Sequence, residues 1–480
     1  MPVAFNPQIR SVLDALDSLG GPPVPTMTPD EARRQPTVAD AVRAVLWREG
    51  TSLSPEPVGA VEDIEVPAPQ GPVPVRIYWP LGSDSGPLPV LVYAHGGGWV
   101  FGDLDDYDAT PRALTNRAGC IVVSVGYRHA PEHRFPAAYD DVLAATRWVM
   151  GTIAELSGDP ARIALVGEGV GATMALAACR ALQASGGSPQ PVVQVLMYPV
   201  TDLTRTDWAT YRENLSTRPL STEAVEWAAE HVVAQSGDVN DLRLSPNLAV
   251  RSELAGLPPT LVITAEHDPL RDQGEAFGRL LLEAGVKATT LRFEGVTHDF
   301  VTMNPVVAPA QAAASAVAKH LREAFSLKGE AAPTVRPDLF QVLAADHAGF
   351  RTLLARLELG RGDRRELTDQ LRHGLSAQAA MVDAVLGSAT AGLPGPADTD
   401  ELLRMLDVHP LDGAGADPGL RAVRAAIDER RVTQERVLAE MRVGSGDKRM
   451  REVGHQALQA RRTAPDGGGG GSAREMAHAG

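Results

Sequence analysis

The chain has 480 residues, 44% of them hydrophobic, and a net charge of −15, enough length for two or three domains and a large core. The acidity lies in the first part, with about −14 on residues 1–330 and about −1 on residues 331–480, which argues against nucleic acid as a partner of the larger domain. With no run of 18 apolar residues, no basic-then-apolar N-terminus and only Cys120 and Cys179, neither a membrane span nor a signal peptide is expected, and the thiols suit a reducing, cytoplasmic setting.

Residues 1–50 are predicted to be helical. Val12, Leu13, Leu16 and Leu19 recur at helical spacing until Gly20-Gly21-Pro22-Pro23 breaks the pattern. A second helix begins near Thr28-Pro29-Asp30-Glu31, with Thr28 as N-cap and Pro29 at the first helical position. From Val58 the period changes to two. Val61, Ile64 and Val66, then Val73, Val75 and Ile77, predict an antiparallel pair opening a sheet. Residues 88–94 form a continuous apolar run suited to a strand buried on both faces, and it ends in His95-Gly96-Gly97-Gly98-Trp99.

Apolar runs at 121–125, 163–166, 192–198 and 260–265 alternate with helical stretches at 107–118, 138–155, 171–184 and 271–284. A last run at 289–293 leads to Gly295-Val296-Thr297-His298. This alternation predicts an α/β fold with a mostly parallel, doubly wound sheet and helices on both faces. Residues 205–245 interrupt it with helical sequence carrying Trp208 and Trp227. With residues 1–50 they are expected to cap the carboxyl ends of the strands, where such sheets bind ligands.

The run Arg162 to Val166 is followed by Gly167-Glu168-Gly169-Val170-Gly171 and a small-residue helix. Strand, sharp turn, helix is the setting of a nucleophile elbow, G-x-S-x-G. The outer glycines are present. The central residue is Gly169, which has no side chain to attack a carbonyl.

After residue 328 the strand pattern stops. A linker is expected at 329–336, a helical bundle of about four helices at 337–462, and a disordered tail at 463–480 with five consecutive glycines. Leu339, Val342, Leu343, Phe350, Leu353, Leu354 and Leu357 mark one amphipathic helix of the bundle; Leu367, Leu371, Leu375, Val382 and Val385 mark another.

The first domain, residues 1–328, resembles over residues 1–325 the hormone-sensitive-lipase-like family of α/β-hydrolases, the esterases with an HGGG motif. The resemblance rests on His95-Gly96-Gly97-Gly98-Trp99; on Tyr127 to Ala137; on Tyr198-Pro199-Val200-Thr201-Asp202; on Asp268-Pro269-Leu270-Arg271-Asp272; and on His298-Asp299-Phe300. It implies an α/β-hydrolase fold in which Gly97, Gly98 and Val170 supply oxyanion-binding N–H groups. It also implies His298 as base and Asp268 as the acid that orients it. His95, Gly96, Trp99, Glu168, His129, Tyr198 and Trp227 are expected to line the substrate pocket. Where the family has Gly-Asp-Ser-Ala-Gly, this chain has Glu168, Gly169 and Val170 in the middle. Gly126, His129 and Tyr107 also depart from the usual residues. The helical part resembles a hemerythrin-like bundle over Asp338 to His347, but it lacks the His-x-x-x-Glu pair of a di-iron site. No metal and no other cofactor is expected.

Three functions stay open. An oxyanion hole facing a His–Asp dyad suits proton transfer next to a carbonyl, giving elimination, cyclisation or isomerisation without hydrolysis. A pseudoenzyme that binds a small molecule or a protein is the alternative, and a hydrolase using His-activated water is the third. The expected partner is a small carbonyl-containing molecule. No nucleic acid or membrane is expected, and a homo-oligomer is allowed.

Overall fold

A computed structural model describes residues 4–82, 86–186, 190–327, 335–386, 399, 402, 404–405 and 418–463. The chain divides into two compact units, one of residues 1–42 and 58–334, the other of residues 43–57 and 335–480.

The first unit is built on one eight-stranded sheet, ordered β1-β2-β4-β3-β5-β6-β7-β8. The helices α1 (Pro7–Ser18) and α2 (Pro29–Arg33) precede it. Thr28 caps α2 in a reciprocal capping box with Glu31, which satisfies two otherwise unpaired amides. A third helix, α3, spans Val38–Arg48. Strands β1 (Ala60–Val66) and β2 (Val73–Trp79) form the expected antiparallel hairpin, paired from Ala60 with Trp79 to Val66 with Val73.

β3 (Leu88–Ala94), β4 (Ile121–Val125), β5 (Gly158–Glu168), β6 (Val193–Met197), β7 (Thr260–His267) and β8 (Ala288–Thr297) run parallel to their neighbours among them. β3 and β4 are buried along nearly all their length, as continuous apolar strands in a sheet covered on both faces must be. The helices between strands are α4 (Ala109–Ala118), α5 (Ala137–Thr152), α6 (Val170–Ala184), α7 (Ala209–Glu213), α8 (Thr222–Val232), α9 (Arg251–Leu254) and α10 (Arg271–Glu283); α11 (Ala308–Ala324) follows β8. Cys120 and Cys179 are buried free thiols. No described helix is long and apolar enough to cross a membrane.

The second unit contains α12 (Leu339–Leu359), α13 (Arg364–Leu386) and the long α14 (Pro418–Thr463). Their apolar faces meet in two clusters, one around Phe350, Leu371 and Val423, the other around Leu343, Val382 and Leu438. One boundary differs from expectation. Residues 43–57, assigned in part to the cap by their helical periodicity, pack in this unit instead. The Ser54 hydroxyl donates to Asp346 at 2.5 Å, and Trp47 stands edge-on to His373 at 5.2 Å. Periodicity marks a buried face but not the partner that buries it. Most of the expected linker and all of the expected tail beyond Thr463 lie outside the described residues; Thr463 itself ends α14.

His347 is buried, and its Nε2 pairs with the Gln434 side chain at 2.7 Å. Burial lowers its pKa and keeps the ring neutral. Among the described residues no group of three or more His, Cys, Asp or Glu is arranged to hold a metal ion.

Candidate active site

Four loops meet at the carboxyl ends of the parallel strands. Residues 95–98 follow β3, Gly169 follows β5, Asp268 follows β7 and His298 follows β8. Ligands of open α/β sheets bind at this end.

Close packing shapes the elbow between β5 and α6. A Cβ on Gly171 would lie 2.1 Å from the Ala94 carbonyl oxygen, and one on Gly167 would lie 2.2 Å from the Gly171 carbonyl oxygen. Only glycine lets α6 descend onto the end of β3. Gly169 itself has φ 56° and ψ −121°, a region costly for any other residue. Its backbone is held by its N–H, which donates to the Met197 carbonyl at 2.9 Å. A Cβ built on Gly169 would point at His298, 3.3 Å from Nε2 and 3.7 Å from the Gly96 Cα.

His298 and Asp268 form a dyad. Nδ1 of His298 lies 2.8 Å from Asp268 Oδ2, and Asp268 Oδ1 accepts the Leu270 N–H at 2.8 Å. Two acceptor bonds on separate oxygens fix the carboxylate, which in turn fixes the ring so that Nε2 faces Gly169. Burial would lower the His298 pKa, but Asp268, Asp299 and Glu168 outweigh it and raise it to about 9. The neighbouring carboxylates thus favour the protonated imidazole.

Val170 is the first residue of α6, so its N–H has no acceptor within the helix. Gly97 (φ 94°) leaves no room for a side chain, since a Cβ would meet the Phe101 carbonyl oxygen at 1.9 Å. Gly97, Gly98 and His298 border a cavity of about 370 Å³. Its other walls come from residues 16–39 and 215–228 and from Phe101, with apolar groups such as Leu16, Met27, Leu220 and Ala228.

The residues expected to line the pocket require a correction. His95, Gly96, Trp99, Glu168, His129, Tyr198 and Trp227 do not border this cavity. All of them are buried except His129, which is half-buried. His95 is stacked between Tyr107 and Tyr127, and burial lowers its pKa to about 4, so its neutral ring can donate from Nδ1 to the Gly96 carbonyl at 2.9 Å. Tyr127 donates to the same carbonyl at 2.5 Å. His129 stands edge-on to both rings, and burial lowers its pKa to about 3.

Trp99 donates to the Tyr139 hydroxyl at 3.3 Å. Trp227 donates to the Met27 carbonyl at 3.1 Å, tying the cap segments together. Burial, reinforced by Asp299, raises the Glu168 pKa to about 8, and the Tyr198 hydroxyl donates to its Oε2. The motifs identified these residues by their nearness to the reactive loops, not by the side chains that face the cavity.

Two residues with roles here lack a recognisable signal or were passed over. Arg33 on α2 donates to the Val100 and Ala130 carbonyls at 2.8 Å each and to Glu132, pinning the loop after β3. Nothing in the sequence pairs positions about 100 residues apart. Asp299 borders the cavity and was visible only as the middle residue of His298-Asp299-Phe300.

This architecture and this loop set define an α/β-hydrolase, and a model of the alpha/beta hydrolase fold matches residues 91–302. The chain belongs to the α/β-hydrolase family, in its hormone-sensitive-lipase-like branch. It is 40% identical over 247 residues to carboxylesterase NlhH of Mycobacterium tuberculosis, covering 51% of this chain and 75% of that protein. It is 35% identical over 311 residues to the ethyl acetate hydrolase of Pseudomonas putida, covering 64% and 94%. Among solved structures, the hyperthermophilic esterase of Pyrobaculum calidifontis is similar at TM-score 0.60 and 33% identity, covering 67% of this chain and 99% of that one.

Proposed function

We propose that this esterase-fold protein has lost the serine nucleophile at Gly169 and instead catalyses proton transfer beside the carbonyl of a small molecule. Elimination, cyclisation or isomerisation would follow. The observation that carries this reading is Gly169 itself, which puts no hydroxyl or thiol at the elbow although its Cβ position lies 3.3 Å from His298 Nε2. The oxyanion-binding N–H groups of Gly97, Gly98 and Val170 would stabilise an enolate, and the His298–Asp268 dyad would move the proton. Removing the serine of a serine hydrolase costs about 10⁶ in kcat. From a typical kcat of about 10 s⁻¹, that leaves on the order of one turnover per day, too slow to be the activity. The cavity of about 370 Å³ and its largely apolar walls suit a small ligand with an apolar body and one carbonyl.

The test compares wild type with His298→Ala on the small-molecule fraction of a cell extract, followed by mass spectrometry. Wild type should convert a compound, and the variant should lose about 10²–10⁴ in rate while still binding it. Identical product profiles with tight retention of one compound by both proteins would replace catalysis by a binding role. Rapid hydrolysis of short acyl esters by wild type would restore the esterase reading.

A further inference from the structure

The carboxylate that this mechanism leaves unused is that of Asp299, half-buried as a side chain. Its backbone is left-handed, with φ 57°, and the side chain borders the cavity beside His298. Its Oδ1 is buried and makes no hydrogen bond, yet lies 3.7 Å from His298 Nε2. A desolvated carboxylate oxygen without a donor is costly. Here it is aimed at the one imidazole nitrogen that Asp268 does not hold. The backbone needs no help from the side chain, because the turn that follows is closed by the Asp299 carbonyl, which accepts from the Thr302 N–H and hydroxyl. The carboxylate is thus not explained by the local fold.

We propose that Asp299 is a second proton-transfer residue of the site, accepting the proton that leaves a substrate carbon while His298 Nε2 donates one. This rests on the carbonyl chemistry proposed above and assigns its two proton roles. The Cα–H bond breaks and its proton goes to Asp299 Oδ1. The electron pair moves into the Cα–C bond, and the carbonyl electrons move to an oxygen held by Gly97, Gly98 and Val170. The oxygen electrons then re-form the carbonyl, and the enolate carbon pair either expels a leaving group from Cβ, whose bond breaks as it takes the His298 Nε2 proton, or takes that proton at carbon to form a new C–H bond. One proton is taken and one given, and exchange between Asp299 and His298 restores the pair.

The charges around the site fit these roles. Burial raises the Asp299 carboxyl above its usual range, His298 opposes this, and Asp268 adds to it. Glu168, Tyr107, Tyr127 and Tyr198 also feel Asp299, and burial holds the three phenols well above their usual range. An imidazole flanked by Asp268 and Asp299 and raised to about 9 starts as the acid, not the base.

The probe is cyclohexanone in deuterium oxide, with loss of its α-proton signal followed by NMR for wild type, Asp299→Asn and His298→Ala. Asparagine tolerates the left-handed backbone, so the variant should melt within a few degrees of wild type. Wild type should accelerate exchange, and both variants should lose about 10²–10⁴ of the acceleration. In a pH titration followed by NMR, the His298 ring should titrate at lower pH in Asp299→Asn. Exchange lost in His298→Ala but kept in Asp299→Asn overturns the role of Asp299 and leaves the carbonyl reading standing. No acceleration by wild type overturns both.

Discussion

Gly169→Ser puts the missing atom back into an otherwise assembled site. The backbone at φ 56° and ψ −121° penalises any side chain, at roughly 1–3 kcal/mol, so the variant should be measurably less stable than wild type. The added Cβ would stand 3.3 Å from His298 Nε2 and 3.7 Å from the Gly96 Cα. At that separation a hydroxyl set obliquely to the ring falls within the hydrogen-bond reach of about 2.6–3.2 Å required of a nucleophile and its base. Losing such a serine costs about 10⁶ in kcat, so regaining it should raise ester hydrolysis by orders of magnitude, up to about that factor. The assay is hydrolysis of p-nitrophenyl butyrate, with labelling by a fluorophosphonate as a second readout. Wild type should show trace hydrolysis and no labelling. Because His298 carries a proton up to about pH 9, the gained activity should climb with pH toward that value. A folded Gly169→Ser protein with neither hydrolysis nor labelling would refute the claim that the oxyanion loop and the dyad are aligned for carbonyl chemistry.

Two further outcomes concern stability. Glu168 titrates at about 8 in the fold and His298 at about 9, both above their unfolded values of about 4.3 and 6.5. The native state therefore binds more protons between each pair of values, and stability falls as pH rises through those windows, by up to about 1.4 kcal/mol per pH unit per proton. Glu168→Gln should remove the first contribution, so its melting temperature should gain on wild type from pH 5 to pH 8; a constant offset would contradict the buried, protonated carboxyl. Gly171→Ala should cost about 3 kcal/mol or more in urea unfolding, because its Cβ falls 2.1 Å from the Ala94 carbonyl oxygen and overpacking against backbone has no easy relief. Wild-type stability in that variant would mean that α6 does not sit so close to β3.

The sequence by itself determined the sheet and the chain order of the reactive loops. Period-two alternation at Val73, Val75 and Ile77 and the apolar run at 88–94 record local burial, and burial on one or both faces is what side-chain order along a strand encodes. The Gly-rich loops were legible because their backbone constraints are local: Gly97 and Gly171 have no room for a Cβ. The pairing of Asp268 with His298, 30 residues apart, was reachable only through family motifs, and the 2.8 Å bond between them is a product of β7 and β8 lying side by side.

Tertiary structure alone decided which residues meet the cavity. His95, Trp99, His129 and Trp227 were expected at the pocket, yet their rings are engaged in stacking and hydrogen bonds elsewhere and none borders the cavity, while residues 16–39 line it. It also decided that residues 43–57 pack in the helical unit, that Arg33 holds the loop after β3, and that an unbonded carboxylate oxygen of Asp299 faces His298. Each is a contact between segments far apart in sequence or a choice among faces of one loop. Such contacts are set by shape and desolvation once the elements are assembled, and no local pattern of residues carries them.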